Sequence, residues 1–194
     1  MKNHEIYKTI RFTEECTQCA LRKDCRAPVP CAGNFKSKVM LVGEAPGKDE
    51  DEKGLPFIGQ SGQIQAEAWE KLGINVWEKF VLSNTVKCRP SGNRTPTNAE
   101  RDFCSRWWLH NEILAIQPKV ILAVGKVALG FFLRFGAIAN GCWTPIKYGD
   151  DMVQLHFLYH PSHWLRMGGD EYVKREILPA MLRFKERWIT DGTI

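Results

Sequence analysis

An α/β fold with a mainly parallel sheet is what this sequence predicts, on three observations. Short apolar runs of strand length alternate with longer, helix-patterned segments. Helix start and stop signals separate the two kinds of segment. Three polar loops follow the carboxyl ends of the expected strands, the edge at which open α/β sheets bind ligands.

The elements follow in order. Residues 12–36 are cysteine-rich and lack periodic apolar residues, so they form a loop-rich segment organised around something other than a core. Val39–Val42 is a short apolar run ending at Gly43, the pattern of a buried strand. From Gly43 to Gly62 the chain is glycine-rich and acidic, too polar for a core and too long for a tight turn, hence a functional loop. Ser61 is positioned to cap a helix over about Gly62–Leu72, ended by Gly73. Phe80–Ser83 is a second short strand, and Asn84–Pro96 a second polar loop. Thr97 with Glu100 three residues on is a capping box, opening a helix to about Ile116 that Pro118 stops. Lys119–Val124 is the clearest buried strand, and Gly125 leads into a helix over about Lys126–Phe135. Gln154–Tyr159 is a further strand with His160-Pro161-Ser162 just past its end. A last amphipathic helix, about Glu171–Trp188, carries Pro179 and is expected to kink there. No internal repeat or low-complexity segment occurs.

Composition bounds the rest. The chain has 194 residues, which suits one domain spanning 1–194 with a core large enough to need no disulfide staple. Charged residues make up 25% and apolar ones 44%, which excludes a disordered chain. No apolar run approaches ~18 residues, so no membrane span is expected. The opening MKNHEIYKTIRF lacks an apolar stretch, so no secretory leader is expected either. A net charge of +5 permits a nucleic-acid partner without requiring one. The seven cysteines are odd in number and unevenly spaced, which argues against a disulfide framework and for metal or cluster ligation.

The motifs narrow the chemistry. Gly43-Glu-Ala-Pro-Gly-Lys48 has three residues between its glycines and Asp49 after the lysine, so it is no phosphate-binding P-loop. Cys16-x-x-Cys19 sets two thiols on one turn, the usual seed of a tetrahedral metal site. Cys88 and Cys104 are the candidate second pair, with Cys25 and Cys31 as competitors and Cys142 as a structural thiol. Four thiolates suit zinc or an iron–sulfur cluster equally well. His160 stands out among the histidines by lying at the ligand edge, where it can donate to a developing anion. Phe57, in the glycine-rich loop, offers a ring for stacking on a flat base, although such rings are often mere plugs.

Taken in order, CxxC, VGEAPGKDEDEKGLPFIGQSGQ (42–63), LSNTVKCRPSGNRTP (82–96), ERDFC (100–104) and YHPSHWLR (159–166) closely resemble the iron–sulfur uracil-DNA glycosylases of family 4. The resemblance runs from about Cys16 to the last helix. It implies a three-layer α/β/α fold with a central four-stranded parallel sheet and a cysteine-rich iron–sulfur loop region. It implies a 4Fe–4S cluster on Cys16, Cys19, Cys88 and Cys104, uracil-containing DNA as partner, and hydrolysis of the N-glycosidic bond of deoxyuridine. In that reading Phe57 stacks on the flipped base, and Asn84 reads its O4 and N3–H. Ala45 and Gly47 line the pocket, and His160 donates to O2. Glu50 excludes the thymine methyl; because Ala45 stands where other uracil glycosylases carry an aspartate, either Glu44 or Glu50 holds the water or the dissociative step needs little help with it. Ser162, Trp164, Leu165 and Arg166 contact DNA, with Trp164 or Leu165 as the wedge. Lys48, Lys87, Arg89 and Arg94 are further phosphate candidates. Asn84–Pro96 lacks the histidine-bearing basic insertion of the covalent-trapping branch. A monomer in a reducing, cytoplasmic setting is expected. The alternatives are a same-fold enzyme for another modified pyrimidine, a catalytically silent DNA-binding module, and a zinc-stabilised protein acting on free nucleotides.

Overall fold

The computed structural model describes Cys16, residues 19–133 and residues 138–190. One sheet organises them: β1 (Ala32–Gly33), β2 (Val39–Gly43), β3 (Val81–Asn84), β4 (Val120–Val124), β5 (Trp143–Tyr148) and β6 (Asp151–Leu158), in the order β1-β3-β2-β4-β6-β5. The inner four strands, β3-β2-β4-β6, are all parallel, as the family resemblance implies. Both edges depart from it, because β1 and β5 are antiparallel and make the sheet mixed and six-stranded. β5, WTPIKY, has no apolar run of strand length and carries Pro145, a residue that strands tolerate only at an edge, so its sequence gives little strand signal.

Successive side chains of a strand point to opposite faces, and this builds two cores. Val39, Leu41, Leu82, Val120 and Leu122 face Trp69, Ile177, Met181 and Phe184. Met40, Val42, Val81, Ile121 and Ala123 face Leu109, Ile113, Ala128 and Leu129. The first face is covered by the helix Gln60–Glu70 and by the C-terminal helices Asp170–Tyr172 and Leu178–Lys185. The second is covered by Ser105–Leu109, His110–Ile116 and Lys126–Phe132. The result is three layers.

Local signals hold in most places. The Thr97 hydroxyl accepts from the Glu100 N–H at 3.2 Å, and the Glu100 carboxylate accepts from the Thr97 N–H at 2.8 Å, closing the capping box. That helix continues through one widened π-turn, Ser105–Leu109, to Ile116, and ends on Gln117 in the left-handed region at φ 51°. Gly59 rather than Ser61 is the N-cap of Gln60–Glu70. The break expected at Pro179 is taken up by a widened turn, Val173–Ile177, after which Pro179 sits in the first turn of a new helical segment. Lys126–Phe132 is shorter than expected, and Arg134 and Phe135 lie outside the described residues. A third, small cluster joins Leu21, Cys25, Val86, Cys88 and Cys104, with Cys19 against it, so the cysteine-rich segment packs beside the carboxyl end of β3.

Candidate active site

The loops after β2, β3 and β6 converge at the carboxyl edge of the sheet and enclose a cleft of about 790 Å³. Glu44, Ala45, Gly47, Glu50, Phe57, Asn84, His160, Ser162 and Arg166 all line it, so residues spread over more than a hundred positions meet in one place.

Gly43, the last residue of β2, is the floor. A Cβ there would lie 2.8 Å from Phe57 Cζ and 2.5 Å from Asn84 Oδ1, so ring and carboxamide converge on a site that only glycine leaves open. Phe57 is held at φ 59°, in the left-handed region that a bulky residue occupies only under outside constraint. The constraint is Gly62, whose Cα packs so closely on the Phe57 backbone that any side chain would collide with it. Asn84 ends β3 and is buried; among the described residues no hydrogen bond engages its carboxamide.

His160 caps the helix Pro161–Arg166. Its Nδ1 accepts from the Ser162 N–H at 3.2 Å and lies 2.9 Å from the Ser162 hydroxyl. A backbone N–H can only donate, so the neutral ring carries its proton on Nε2. Burial, and then the Arg166 guanidinium, lower the pKa of His160 below its ordinary value and favour this neutral form. The ring sits over Gly125, where a Cβ would approach to 3.2 Å.

The two acidic candidates separate. Both Glu50 oxygens accept backbone N–H groups, Gly47 at 3.0 Å and Gly59 at 2.7 Å, so this carboxylate ties two loop ends together. The same bond removes Gly47 as an amide donor to a ligand. Among the described residues no backbone N–H engages the Glu44 carboxylate; burial raises its pKa, opposed by the Thr95 hydroxyl. Thr95 carried no sequence signal, because only the folded loop brings it over Glu44.

Two expectations are overturned. Trp164 is fully buried in the core, and its indole N–H donates to the Tyr159 carbonyl at 2.7 Å, so it cannot be a wedge. Its neighbour Leu165 is 54% exposed. Lys87 is equally buried, with its ammonium 2.7 Å from the Glu112 carboxylate, and cannot reach a phosphate. Lys48, which pairs with Glu52, and Arg94, which pairs with Glu100, both line the cleft, and Arg89 is partly buried and donates to Asn93 at 2.6 Å.

The cysteines divide unevenly. Cys19, Cys25, Cys88 and Cys104 share the small third cluster, and the Lys87 N–H donates to the Cys104 sulfur at 3.3 Å. Cys16 and Cys19 lie near enough to act electrostatically on Cys104. Cys31 belongs instead to the second core, and Cys142 is exposed. Among the described residues, no three Cys, His, Asp or Glu side chains are drawn into ligating geometry. An apolar pocket with several thiols and a backbone N–H aimed at a sulfur nevertheless fits a thiolate-held cluster.

No described helix is long and apolar enough to cross a membrane. A model of the uracil DNA glycosylase superfamily matches residues 30–181. The chain is 35% identical over 170 residues to the type-4 uracil-DNA glycosylase of Pyrobaculum aerophilum, covering 84% of this chain and 85% of that one. It is 36% identical over 176 residues to the type-4 uracil-DNA glycosylase of Thermotoga maritima, covering 89% and 88%. It is 31% identical over 153 residues to a type-5 uracil-DNA glycosylase, also of Pyrobaculum aerophilum, covering 70% and 66%. With this cleft at the carboxyl edge of a parallel sheet, the chain belongs to the uracil DNA glycosylase superfamily and, within it, to the type-4 glycosylases.

Proposed function

We propose that this protein hydrolyses the N-glycosidic bond of deoxyuridine in DNA, releasing uracil and leaving an abasic site for base excision repair. The observation that carries the reading is the convergence of Phe57, an unengaged Asn84 carboxamide and the Nε2–H of His160 on one cleft.

A base inside a duplex is out of reach, so the nucleotide flips out at a cost of a few kcal/mol. Phe57 stacks on its face. The Asn84 carboxamide gives one donor to O4 and one acceptor to N3–H; cytosine offers an amino group instead of O4, and donor then meets donor. Such a bidentate contact is worth ~1–3 kcal/mol of discrimination. As C1′–N1 breaks, its electron pair leaves on the base, and His160 donates Nε2–H to O2 where that charge grows. Water adds to C1′ and gives up a proton. Glu44 is the group to hold that water, because burial raises its proton affinity and its carboxyl faces the cleft. Glu50 acts as a positioning residue, holding the loop that carries Gly47 and the Gly59 end of the Phe57 loop. Leu165 fills the gap left by the flipped base, with Ser162 and Arg166 contacting the backbone.

Cys16, Cys19, Cys88 and Cys104 would hold a 4Fe–4S cluster, which when bound supplies iron–thiolate bonds cross-linking the cysteine segment to the β3 loop and the helix at Cys104. Such a cluster suits a reducing compartment.

The test is uracil release from oligonucleotides carrying a single U, C or T, read by alkaline strand cleavage. Cleavage of the U strand alone is expected, and its loss in the double variant His160→Ala, Asn84→Ala. Undiminished cleavage by that variant would remove the site assignment. Iron and sulfide analysis decides the cluster, and one zinc per chain would refute it.

A further inference from the structure

Lys87 connects two parts of the molecule that the catalytic reading keeps separate. Its side chain is fully buried, and its ammonium has three acceptors: the Ser83 hydroxyl at 2.5 Å, the Glu112 carboxylate at 2.7 Å and the Asn84 carbonyl at 2.9 Å. That is the full donor count of an ammonium group. Glu112, itself buried, also accepts from the Ser83 hydroxyl at 2.6 Å and from the Cys31 N–H at 3.3 Å. At its other end, the Lys87 N–H donates to the Cys104 sulfur, and the Lys87 carbonyl accepts from the Val29 N–H at 2.6 Å. One residue thus bonds the base-reading strand end with its side chain and the cysteine lobe with its backbone.

A buried ion pair is a poor device for stability, since well-packed apolar residues in its place are often neutral or better. It is a good device for fixing a direction. The Asn84 carbonyl is where β3 ends and the loop begins, so holding it sets the backbone from which the carboxamide projects. An error of about 1 Å in such a group can cost ~100-fold in rate.

We propose that Lys87, with Glu112, is a positioning residue that aims the Asn84 carboxamide and transmits the order of the cysteine lobe to the base pocket. The proposal rests on the reading of Asn84 as the group that recognises the base. It gives the cysteine lobe a task in recognition while leaving the bond-breaking step to the cleft.

The test uses the full-length protein and the paired variant Lys87→Met, Glu112→Leu, which removes both charges together and so leaves neither unpaired. Thermal unfolding is expected about 5–10 °C below wild type, because the Ser83 hydroxyl and the Asn84 carbonyl lose their partner, with iron content unchanged. kcat/KM for uracil release is expected to fall about 100-fold, with the preference for U over C reduced. The Asn84 side-chain amide resonances, identified by their loss in Asn84→Asp, are expected to shift and broaden. A paired variant whose Asn84 resonances match wild type overturns the proposal, whatever its activity. Absence of uracil release by the wild-type protein would instead remove the proposed function, and the resonances would still decide the role of Lys87. The single change Lys87→Met, which strands the Glu112 carboxylate, is expected to lose stability as well.

Discussion

Single atoms decide the chemistry of the cleft. Gly43 shows this most plainly, because a methyl group there meets only the far ends of two side chains, Phe57 Cζ and Asn84 Oδ1. Those ends can swing aside cheaply, so Gly43→Ala is expected to leave the urea midpoint almost unchanged while lowering kcat/KM about 100-fold, in line with a misplacement near 1 Å. Paired stability and rate measurements check it; a large stability loss would show the floor is rigid. His160 sets the pH dependence. Protonation would put a second N–H on Nδ1 facing the Ser162 N–H, donor against donor, so activity requires the neutral ring. Its pKa lies below 6.5, so the rate is expected to be flat above neutrality and to fall as pH drops below that value. A rate that climbs between pH 7 and 5 would contradict the assignment. The sequence pointed to His160 by its position past a strand, but the ring tautomer depends on a hydrogen bond that only coordinates reveal.

Short elements bring these atoms together. The helix Lys48–Lys53 is six residues long and too short to persist alone. Glu50 ties it down from within, one oxygen on the N–H of its own N-cap, Gly47, and the other on Gly59, where Gln60–Glu70 begins. Glu50→Gln leaves one acceptor and sets an amide group against a backbone N–H. It is expected to cost about 1–3 kcal/mol in stability and to lower kcat/KM through displacement of Phe57. Denaturant titration alongside kinetics checks this; a rate loss with no stability loss would return Glu50 to direct action on substrate. The family resemblance implies that Glu50 touches substrate, and the sequence could not test this, because a carboxylate in a glycine-rich loop looks the same whether it faces ligand or backbone. Trp164 shows the reverse case. The resemblance implies Trp164 or Leu165 as the wedge, and the helix Pro161–Arg166 turns Trp164 inward and leaves Leu165 outside.

At the scale of the whole molecule, the sheet stores a pH-dependent stability far from the cleft. His156 on β6 is wholly buried, stacked on Trp143 and edge-on to Phe184, with neither ring nitrogen paired among the described residues. Burial, helped by Arg183 and Arg187, brings its pKa down to about 4 from 6.5. Between those values the unfolded chain takes up a proton that the folded one refuses. Stability present above pH 6.5 is therefore lost as pH falls towards 4, on the order of 3 kcal/mol. Urea titrations at pH 7.5 and 4.5 are expected to show this difference in the wild type and a smaller one in His156→Leu; equal differences in the two proteins would exclude His156 as the source. The sequence by itself determined the mainly parallel sheet, the Thr97 capping box, the cleft edge and the place of His160 and Phe57 on it, while the other cleft residues came from the family resemblance. The first group follows from local rules: apolar runs of strand length, capping chemistry, and loops that must leave a parallel strand at its carboxyl end. Tertiary structure alone decided the antiparallel edges, the burial of Trp164 and Lys87, the turn of Glu50 onto backbone amides and the grouping of Cys25 with Cys88 and Cys104. The physical reason is that each of these depends on a partner remote in the chain, and a side chain's exposure and hydrogen bonds exist only once that partner has arrived.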